Sequence, residues 1–251
     1  MRGLCLQLAR WELQRLASVE VAAINRLFKP LARTLLSDER VRDKAYRAVM
    51  YPGFWNWCRA NPCLGQPASA PRGDFYASID QECRLAGPID YLEFGVYRGE
   101  SIRWWSQRNS DPDSRFVGFD SFEGLPEDWN EAMPKGHFST EGRTPKIDDP
   151  RVSWQRGWFN ETLLPFLAEF ERKERLVLHL DADLYSSTLY VLTTMARHLR
   201  VGDVLIFDEF SDVVHEYRAL VDFCAAFPVA FEAVAHHANY TRVALRVRSV
   251  G

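Results

Sequence analysis

The stretch from Ile89 to Ser101, which reads IDYLEFGVYRGES, decides the fold. Its first six residues are apolar and aromatic enough for a buried β-strand, and apolar residues return at helical spacing from Ile102 onward. Between the two, Gly95 and Gly99 break the strand. A strand, a glycine turn and a helix start together offer unpaired backbone N–H groups and a positive helix end to an acidic ligand. The sequence therefore predicts a turn that can bind such a ligand.

The first position of this turn is unusual. The dinucleotide-binding pattern Gly-x-Gly-x-x-Gly begins with glycine, whereas this chain has Glu93 there. A carboxylate would repel a pyrophosphate and attract an ammonium or sulfonium group, which disfavours a nicotinamide oxidoreductase. Taken alone, the motif is equally compatible with a plain strand end followed by a plain turn.

The composition is that of an ordinary globular protein. The chain has 251 residues, of which 47% are hydrophobic, and a formal net charge of −3, so we expect one large or two small domains. Residues 1–50 carry ten Lys and Arg against five acids. A basic end could serve a nucleic acid, a membrane surface or a partner. Because the charges are spread rather than clustered, they favour a solvated helix face and no nucleic-acid partner.

Two further features indicate a cytoplasmic location. No apolar run approaches the roughly 18 residues needed to span a bilayer, and Arg10 and Glu12 follow the start too soon for a secretory signal. The five cysteines are odd in number and lack the second pair or the neighbouring histidines of a zinc site. We therefore expect reduced thiols and no transmembrane segment.

Residues 1–73 are predicted to form a helical N-terminal extension with a linker. Apolar spacing predicts helices over 4–27 and 31–50, the second of which ends at Tyr51-Pro52-Gly53. Residues 61–73 are rich in Pro and Gly and are typical of a linker. The extension would form a dimer contact, roof an acceptor pocket or simply pack against the following domain.

Residues 74–251 are predicted to form one domain of alternating strands and helices. The predicted strands cover 89–94, 115–120, 151–156, 175–181 and 203–208. The predicted helices cover 74–87, 160–173, 185–199 and 213–227. Two β-rich runs, 231–235 and 242–247, follow the last helix. Near-continuous apolar strands separated by helices are typical of a parallel sheet covered on both faces. The sequence therefore predicts an α/β, doubly wound, mostly parallel sheet, to which the final pair adds an antiparallel edge.

Four predicted strands end on carboxylates, which are Glu93, Asp120, Asp181 with Asp183, and Asp208 with Glu209. Ligands of open α/β sheets bind beyond the carboxyl ends of the strands, so these side chains should meet at one edge. A single acidic strand end is usually a helix cap or a solvated corner. Six unpaired carboxylates together would repel one another unless cations divided them.

Two kinds of positively charged ligand would balance the carboxylates at this edge. Asp120 lies 27 positions after Glu93, about the separation at which an acid meets ribose hydroxyls in βαβ nucleotide sites. Asp181, Asp208 and Glu209 offer three oxygen ligands to a hard divalent ion such as Mg²⁺. The edge is therefore predicted to hold a nucleoside-bearing cofactor beside a metal.

Six segments, taken in order, resemble the macrocin/mycinamicin O-methyltransferase family. They are YLEFGVYRGES (91–101), FVGFDSFEGLPEDW (116–129), GHFS (136–139), QRGWFNETLLPF (155–166), LHLDADLYSST (178–188) and VGDVLIFDEF (201–210). The resemblance covers about residues 75 to 230. It implies a class I methyltransferase domain with a Rossmann-like, mostly parallel seven-stranded sheet. It also implies an enzyme that uses S-adenosylmethionine and Mg²⁺ to methylate hydroxyls of natural-product sugars.

The resemblance further implies roles for single residues. The cofactor-binding residues would be Glu93, Gly95, Gly99 and Ser101 for the methionine part, Asp120 for the ribose, and Gly157 and Trp158 near the adenine. Asp181, Asp208 and Glu209 match the metal positions, and Asp183 matches a carboxylate that would take the substrate proton, so Asp181 and Asp183 are the catalytic candidates. A carboxylate with an ordinary pKa near ~4 is a weak base for an alcohol and would need the help of the metal.

Two positions depart from the family pattern. Glu209 stands where the family commonly has a second aspartate, and Ala182 stands where it has a glycine. Glutamate can still ligate Mg²⁺ through its longer arm. The segments expected to bind the acceptor, 1–75 and 127–150, show no match, which leaves the acceptor open.

The histidines are less informative. His179 lies in mid-strand and is expected to be an internally satisfied core residue. His215 is expected to be a helix cap or a surface residue rather than a ligand. His137 belongs to a long loop between two strands, of the kind that often forms a lid.

The leading interpretation is an S-adenosylmethionine-dependent O-methyltransferase that acts on a small hydroxylated molecule such as a sugar, in a homo-oligomer. The alternative is a catalytically inactive S-adenosylmethionine-binding module that the basic N-terminal helices recruit to a partner or a membrane. The carboxylates at every strand end favour the enzyme, because their mutual repulsion is costly without ligands.

Overall fold

The structure is a computed structural model that describes residues 37–172 and 175–251 of the chain. The predicted helix over 4–27 lies outside the described residues. By its internal packing the chain divides into two compact units, residues 1–51 and 52–251, and the whole sheet belongs to the second unit. In the part of the chain that the structure describes, no helix combines the length and the apolar character needed to cross a membrane.

The described residues contain one eight-stranded sheet. Its strands are β1 (Leu64–Gln66), β2 (Ile89–Phe94), β3 (Arg115–Asp120), β4 (Val152–Arg156), β5 (Arg175–Leu180), β6 (Val204–Phe207), β7 (Val229–His237) and β8 (Arg242–Val250). They lie in the order β1-β7-β8-β6-β5-β2-β3-β4. Strands β2 to β6 run parallel, and β8 lies antiparallel between β6 and β7. The predicted Rossmann-like, mostly parallel sheet is thereby confirmed, but its antiparallel strand, β8, lies inside the sheet and not at the edge, which β1 occupies.

Six α-helices accompany the strands in the described ranges. They are α1 (Glu39–Ala60), α2 (Arg72–Cys83), α3 (Glu100–Arg108), α4 (Phe159–Glu169), α5 (Tyr185–Met195) and α6 (Glu216–Ala226), and a short 3₁₀ turn covers Ala196–His198. Helices α3, α4 and α5 each carry the chain from the end of one parallel strand back to the start of another. Parallel strands need such crossovers, and as a result the carboxyl ends of these strands share one edge of the sheet.

The central strands are apolar throughout because both faces of the sheet are covered. All six residues of β2 are buried, and so are five of the six residues of β5. The register pairs Glu93 of β2 with Gly118 of β3 and with His179 of β5. The ends of three neighbouring strands are therefore level, which brings the predicted acidic residues together.

The sheet has one strand more than the seven that were predicted. Strand β1 lies in the segment 61–73, predicted to be a linker, and pairs in parallel with residues Ala235 to His237 of β7. Three residues are too few to show an alternating pattern in the sequence. The partner strand was also predicted too short, since the β-rich run predicted over 231–235 extends over Val229–His237 as β7.

The helix predicted to stop at Tyr51-Pro52-Gly53 continues to Ala60 as α1. Proline inside a helix removes one backbone hydrogen bond and costs about 3 kcal/mol. Beyond Pro52, however, Phe54 and Cys58 are buried. The Phe54 ring lies 6.1 Å from Phe210 and 5.3 Å from Tyr217, measured between centroids. This aromatic packing offsets the cost of the proline.

We expect Phe54→Ala to lower the free energy of unfolding by about 3 kcal/mol, because it empties a buried aromatic site. Trp55→Ala is the matched control, since Trp55 is 46% exposed and should cost less than about 1 kcal/mol. Chemical denaturation monitored by circular dichroism measures both. Equal losses in the two variants would contradict the packing described for α1.

Candidate active site

A pocket of about 930 Å³ opens at the carboxyl edge of the sheet. It brings together seven of the residues predicted for the site, which are Gly95, Asp120, Trp158, Asp181, Asp183, Asp208 and Glu209. The other four predicted residues, Glu93, Gly99, Ser101 and Gly157, are not among the residues that line it. They belong to the framework around the pocket.

The shape of the glycine turn depends on a close approach between the backbone of Gly95 and the backbone of Asp181. Gly95 has a φ of +92°, and a Cβ atom built on it would lie 1.8 Å from the backbone carbonyl oxygen of Asp181. No side chain fits there, so the residue after β2 must be glycine if the ends of β2 and β5 are to remain in contact. Gly99, with a φ of +73°, meets Pro145 in the same way at 2.9 Å.

Asp120 holds this turn through backbone hydrogen bonds. One carboxylate oxygen accepts the N–H groups of Val96 and Tyr97 at 2.8 and 2.9 Å, and the other accepts that of Phe122 at 2.7 Å. From the sequence, Asp120 was expected to bind a ribose. The structure adds a framework role, because the same carboxylate that faces the pocket also orders the residues between Gly95 and Gly99.

Glu93 lies beneath the pocket at 1% exposure. The Tyr91 hydroxyl donates a hydrogen bond of 2.6 Å to its carboxylate and lies 2.6 Å from Nδ1 of His179. Burial raises the pKa of Glu93 to about 8. Ser101 is also internal, since its hydroxyl lies 3.0 Å from that of Tyr76.

Two strand ends form a cluster of possible metal ligands. His179, Asp181 and Asp208 each offer one donor atom, and the three atoms lie within 4.8 Å of one another. Glu209, which the sequence predicted as the third ligand, lines the same pocket but is not part of this group. The third donor atom of the group comes from His179, which was expected from the sequence to be a satisfied core residue.

The described residues provide positive charge to some carboxyl groups at this edge of the sheet and not to others. Burial, followed by the charges of Asp208 and Asp183, raises the pKa of Asp181 well above its usual range. Burial and the charge of Glu209 raise the pKa of Asp183 to about 8, and burial and the charge of Asp208 raise the pKa of Glu209 to about 7. These three acids lack sufficient positive charge around them.

Asp208 differs because two arginines engage it. Arg242 donates from Nε to Oδ1 at 2.9 Å and from Nη2 to Oδ2 at 3.2 Å. Arg72 donates to Oδ2 at 3.1 Å, and its Nη1 lies 4.0 Å from Asp181. Although burial opposes the change, the guanidinium groups of Arg72 and Arg242 hold the pKa of Asp208 well below its usual range. Sequence reasoning missed both arginines, because they come from α2 and β8, far along the chain from Asp208.

The donor set fits a divalent cation. Burial and the charges of neighbouring carboxylates raise the pKa values of Asp181, Asp183 and Glu209 at this edge, and Nε2 of His179 is fully buried without a hydrogen-bond partner. The arginines neutralise chiefly Asp208. A carboxylate has about four lone-pair sites, so Asp208 can serve the arginines and a cation together.

Asp183 stands in a strained position at the mouth of this cluster. Its φ of +58° is left-handed, which is costly for a residue with a side chain. Such strain is often found where a side chain must be aimed at a ligand. Glu216 of α6, missed by sequence reasoning, is fully buried nearby, and its carboxylate accepts the backbone N–H of Glu209 at 2.9 Å.

The long loop between β3 and β4 forms one wall of the pocket. Its residues Trp129, Met133, Lys135 and Phe138 line the cavity. The indole N–H of Trp129 donates to Asp212 at 3.1 Å, which ties the loop to the segment before α6. The part of the sequence expected to bind an acceptor, 127–150, therefore contributes to the pocket wall.

We expect Gly95→Ala to unfold at a temperature several degrees lower than the wild type, because the new Cβ atom would collide with the carbonyl of Asp181. Gly136→Ala is the matched control: Gly136 also has a positive φ, of +82°, but a Cβ atom there would meet nothing within 4 Å. Differential scanning calorimetry compares the two. If the unfolding temperature fell no further in Gly95→Ala than in Gly136→Ala, the strain of a positive φ would explain both losses and the collision with Asp181 would contribute nothing.

We expect the pH dependence of stability to report the buried carboxyl of Glu93. Because its pKa rises from 4.5 in the unfolded chain to about 8 in the folded one, its contribution is complete below 4.5 and is lost as the pH rises toward 8. In the absence of ligands, the free energy of unfolding of Glu93→Gln should therefore fall less between pH 4.5 and pH 8 than that of the wild type. Glu100→Gln, at an exposed acid, should keep the wild-type slope. Identical slopes in all three proteins would contradict a neutral Glu93.

The chain is similar to known O-methyltransferases. The family model described as Macrocin-O-methyltransferase (TylF) matches residues 75–230. A 4'-O-methyltransferase of Streptomyces olivaceus, named for 8-demethyl-8-(2,3-dimethoxy-alpha-L-rhamnosyl)-tetracenomycin-C, is 29% identical over 52% of this chain and 58% of its own length. The mycinamicin III 3''-O-methyltransferase of Micromonospora griseorubida is 29% identical over 56% of this chain and 64% of its own length. The chain thus spans about three-fifths of these relatives.

Solved structures share the fold. The O-methyltransferase NovP is 19% identical, with a TM-score of 0.53 over 82% of this chain and 99% of its own. The calicheamicin methyltransferase CalS11 is 21% identical, with a TM-score of 0.51 over 69% of this chain and 77% of its own. These likenesses support the class I methyltransferase architecture. Because the family model covers more than half of the chain, the protein belongs to the macrocin O-methyltransferase family.

Proposed function

We propose that this protein is an S-adenosylmethionine-dependent O-methyltransferase that methylates a hydroxyl of a small molecule, in particular a sugar carried by a natural product. Its family membership supports the activity, and the names of the tetracenomycin and mycinamicin relatives support a sugar acceptor. The observation that carries the proposal is the acidic pocket beside the glycine turn, which suits a sulfonium cofactor and a metal-assisted hydroxyl.

The cofactor would lie along the turn between Gly95 and Gly99, with its ribose near Asp120 and its adenine near Trp158. Gly95, Asp120 and Trp158 line the pocket, which supports direct contact. Glu93, Ser101 and Gly157 would act on the cofactor by shaping this wall. The backbone N–H of Gly157, for example, donates to the carbonyl of Asp120 at 3.0 Å, which supports a link between the two halves of the cofactor site.

Asp181, Asp208 and Glu209 would hold a divalent cation, and Mg²⁺ is the ion that the family resemblance implies. When bound, the cation would supply Lewis acidity that lowers the pKa of the acceptor hydroxyl. Asp183 would accept the hydroxyl proton as the attacking oxygen displaces the methyl group from the sulfonium in line. Burial and the charge of Glu209 raise the pKa of Asp183 in the metal-free chain, and a bound cation would favour the ionised carboxylate that can accept the proton. Asp181 would orient this base and the acceptor from the neighbouring position.

The wall loop would select the acceptor. Trp129, Met133 and Phe138 offer apolar surface, which suits the flat faces of a sugar or its aglycone. We further propose that residues 74–251 act as the methyltransferase domain and that residues 1–73 contribute a contact between copies in a cytoplasmic homo-oligomer. The exposed apolar Val49 of α1, at 73%, supports such a contact.

Methyl transfer from labelled S-adenosylmethionine tests the proposal. The acceptor panel would contain methyl rhamnosides, rhamnosyl polyketides and, for contrast, a catechol. Label should enter at least one sugar acceptor, and a divalent cation should accelerate its entry. Cofactor binding without transfer to any acceptor would instead favour the alternative, a binding module without turnover.

We expect Asp183→Asn to lower turnover at least ~100-fold, the usual scale for the loss of a general base, while the dissociation constant of S-adenosylmethionine changes less than about threefold. Asp113→Asn, in an exposed turn, is the control and should change neither quantity. If Asp183→Asn abolished cofactor binding as well, its carboxylate would have to be assigned to the cofactor site and not to proton transfer.

A further inference from the structure

The contacts around His179 engage one ring nitrogen and leave the other, Nε2, without a hydrogen-bond partner. The ring is fully buried in β5. Its Nδ1 is 2.6 Å from the Tyr91 hydroxyl, and the ring of Tyr76 packs edge-on against it at 5.6 Å between centroids. Its Nε2, by contrast, has no hydrogen-bond partner. A buried polar atom without a partner costs about 1–3 kcal/mol, so a ligand that engages it would be stabilised.

Nε2 of His179 is directed at the acidic edge. It lies 3.8 Å from Oδ1 of Asp208, which is too long for a hydrogen bond. Because side chains two residues apart on a strand share a face, His179 and Asp181 project to the same side of the sheet. Ile206 pairs with His179, and Asp208 follows two positions later, so its side chain joins them.

The spacing of the three donors suits a cation between them. Their donor atoms lie within 4.8 Å of one another. Ligand atoms about 2.1 Å from an octahedral cation are about 3.0 Å apart when adjacent and about 4.2 Å apart when opposite. The observed spacing therefore needs only a small inward movement.

The hydrogen bonds at Nδ1 of His179 favour the imidazole tautomer that can bind a metal ion through Nε2. Tyr91 has one hydroxyl proton and donates it to Glu93. When it does so, Nδ1–H of His179 donates to the Tyr91 oxygen, and Nε2 carries a lone pair. Histidines that bind metals usually donate their other N–H to a polar partner in this way, which fixes the tautomer and the ring orientation.

We propose that Nε2 of His179 is a ligand of the divalent cation, beside Asp181 and Asp208, and that this nitrogen makes the site prefer a first-row transition cation over Mg²⁺. The inference rests on the proposed function, since it assumes that a metal is held at these carboxylates. Imidazole favours transition cations, whereas sites made only of oxygen suit Mg²⁺. The two arginines on Asp208 leave room for the cation. They occupy both lone-pair sites of Oδ2 and one of the two sites of Oδ1, the oxygen that lies 3.8 Å from Nε2 of His179.

The direct test is pulsed electron paramagnetic resonance of Mn²⁺ bound to the metal-stripped full chain without S-adenosylmethionine. We expect ¹⁴N modulation from a directly bound nitrogen, replaced by ¹⁵N signals when the protein is labelled with [¹⁵N]histidine. The modulation should vanish in His179→Gln and persist in the matched control His215→Gln. His215 lies next to α6 and accepts the backbone N–H of Tyr185 at 3.1 Å. The wild-type and labelled spectra decide the point even if His179→Gln fails to fold.

Calorimetric titration with Co²⁺ and with Mg²⁺ tests the preference. In His179→Gln the Co²⁺ affinity should fall about tenfold or more, with a smaller loss for Mg²⁺. Mn²⁺ that binds, is lost in Asp181→Asn and shows no nitrogen modulation would overturn the role of His179 while leaving the metal site standing. Failure of every cation to bind the wild type would overturn both this inference and the metal assistance in the proposed function.

Discussion

Mutual repulsion among carboxylates at one edge of the sheet is the constraint on which the rest of the site depends. Parallel strands joined by helices necessarily bring their carboxyl ends together, and in this chain those ends carry acids. Each acid is compensated differently. Asp120 receives three backbone N–H groups, Glu93 receives the hydroxyl of Tyr91, and Asp208 receives two guanidinium groups. Asp181, Asp183 and Glu209 remain undercompensated, and all three line the pocket.

The same edge explains why the glycine turn and the cluster of possible metal ligands form one unit. The backbone of Gly95 lies against the carbonyl of Asp181, and the N–H of Asp181 donates to Phe94 at 2.9 Å. Movement of the turn must therefore move the end of β5. A cofactor on the turn and an acceptor near Asp181 and Asp183 would thus be aligned by backbone contacts that do not depend on either ligand. Positioning of this kind accounts for much of the acceleration in two-substrate reactions.

Much of this arrangement could be predicted from the sequence, because the signals were local. Apolar runs that end on acids predicted the parallel strands, and the rule for strand ends predicted that Asp120, Asp181 and Asp208 would meet. The parts that were missed depend on contacts between distant segments. Strand β1 exists because β7 offers an edge. Arg72 and Arg242 reach Asp208 from elements 136 and 34 positions away. The free nitrogen of His179 follows from a hydrogen bond to Tyr91 on a neighbouring strand.

The central claim is that the undercompensated carboxylates make this edge a site for cationic ligands. Calorimetric titration of S-adenosylmethionine into the protein, with and without a divalent cation, tests it most directly. The account predicts saturable binding of one cofactor per chain in the micromolar range, together with separate binding of one divalent cation per chain. If neither the sulfonium cofactor nor any divalent cation bound, the acids would have to be balanced by the arginines and by protonation alone, and the account would be contradicted.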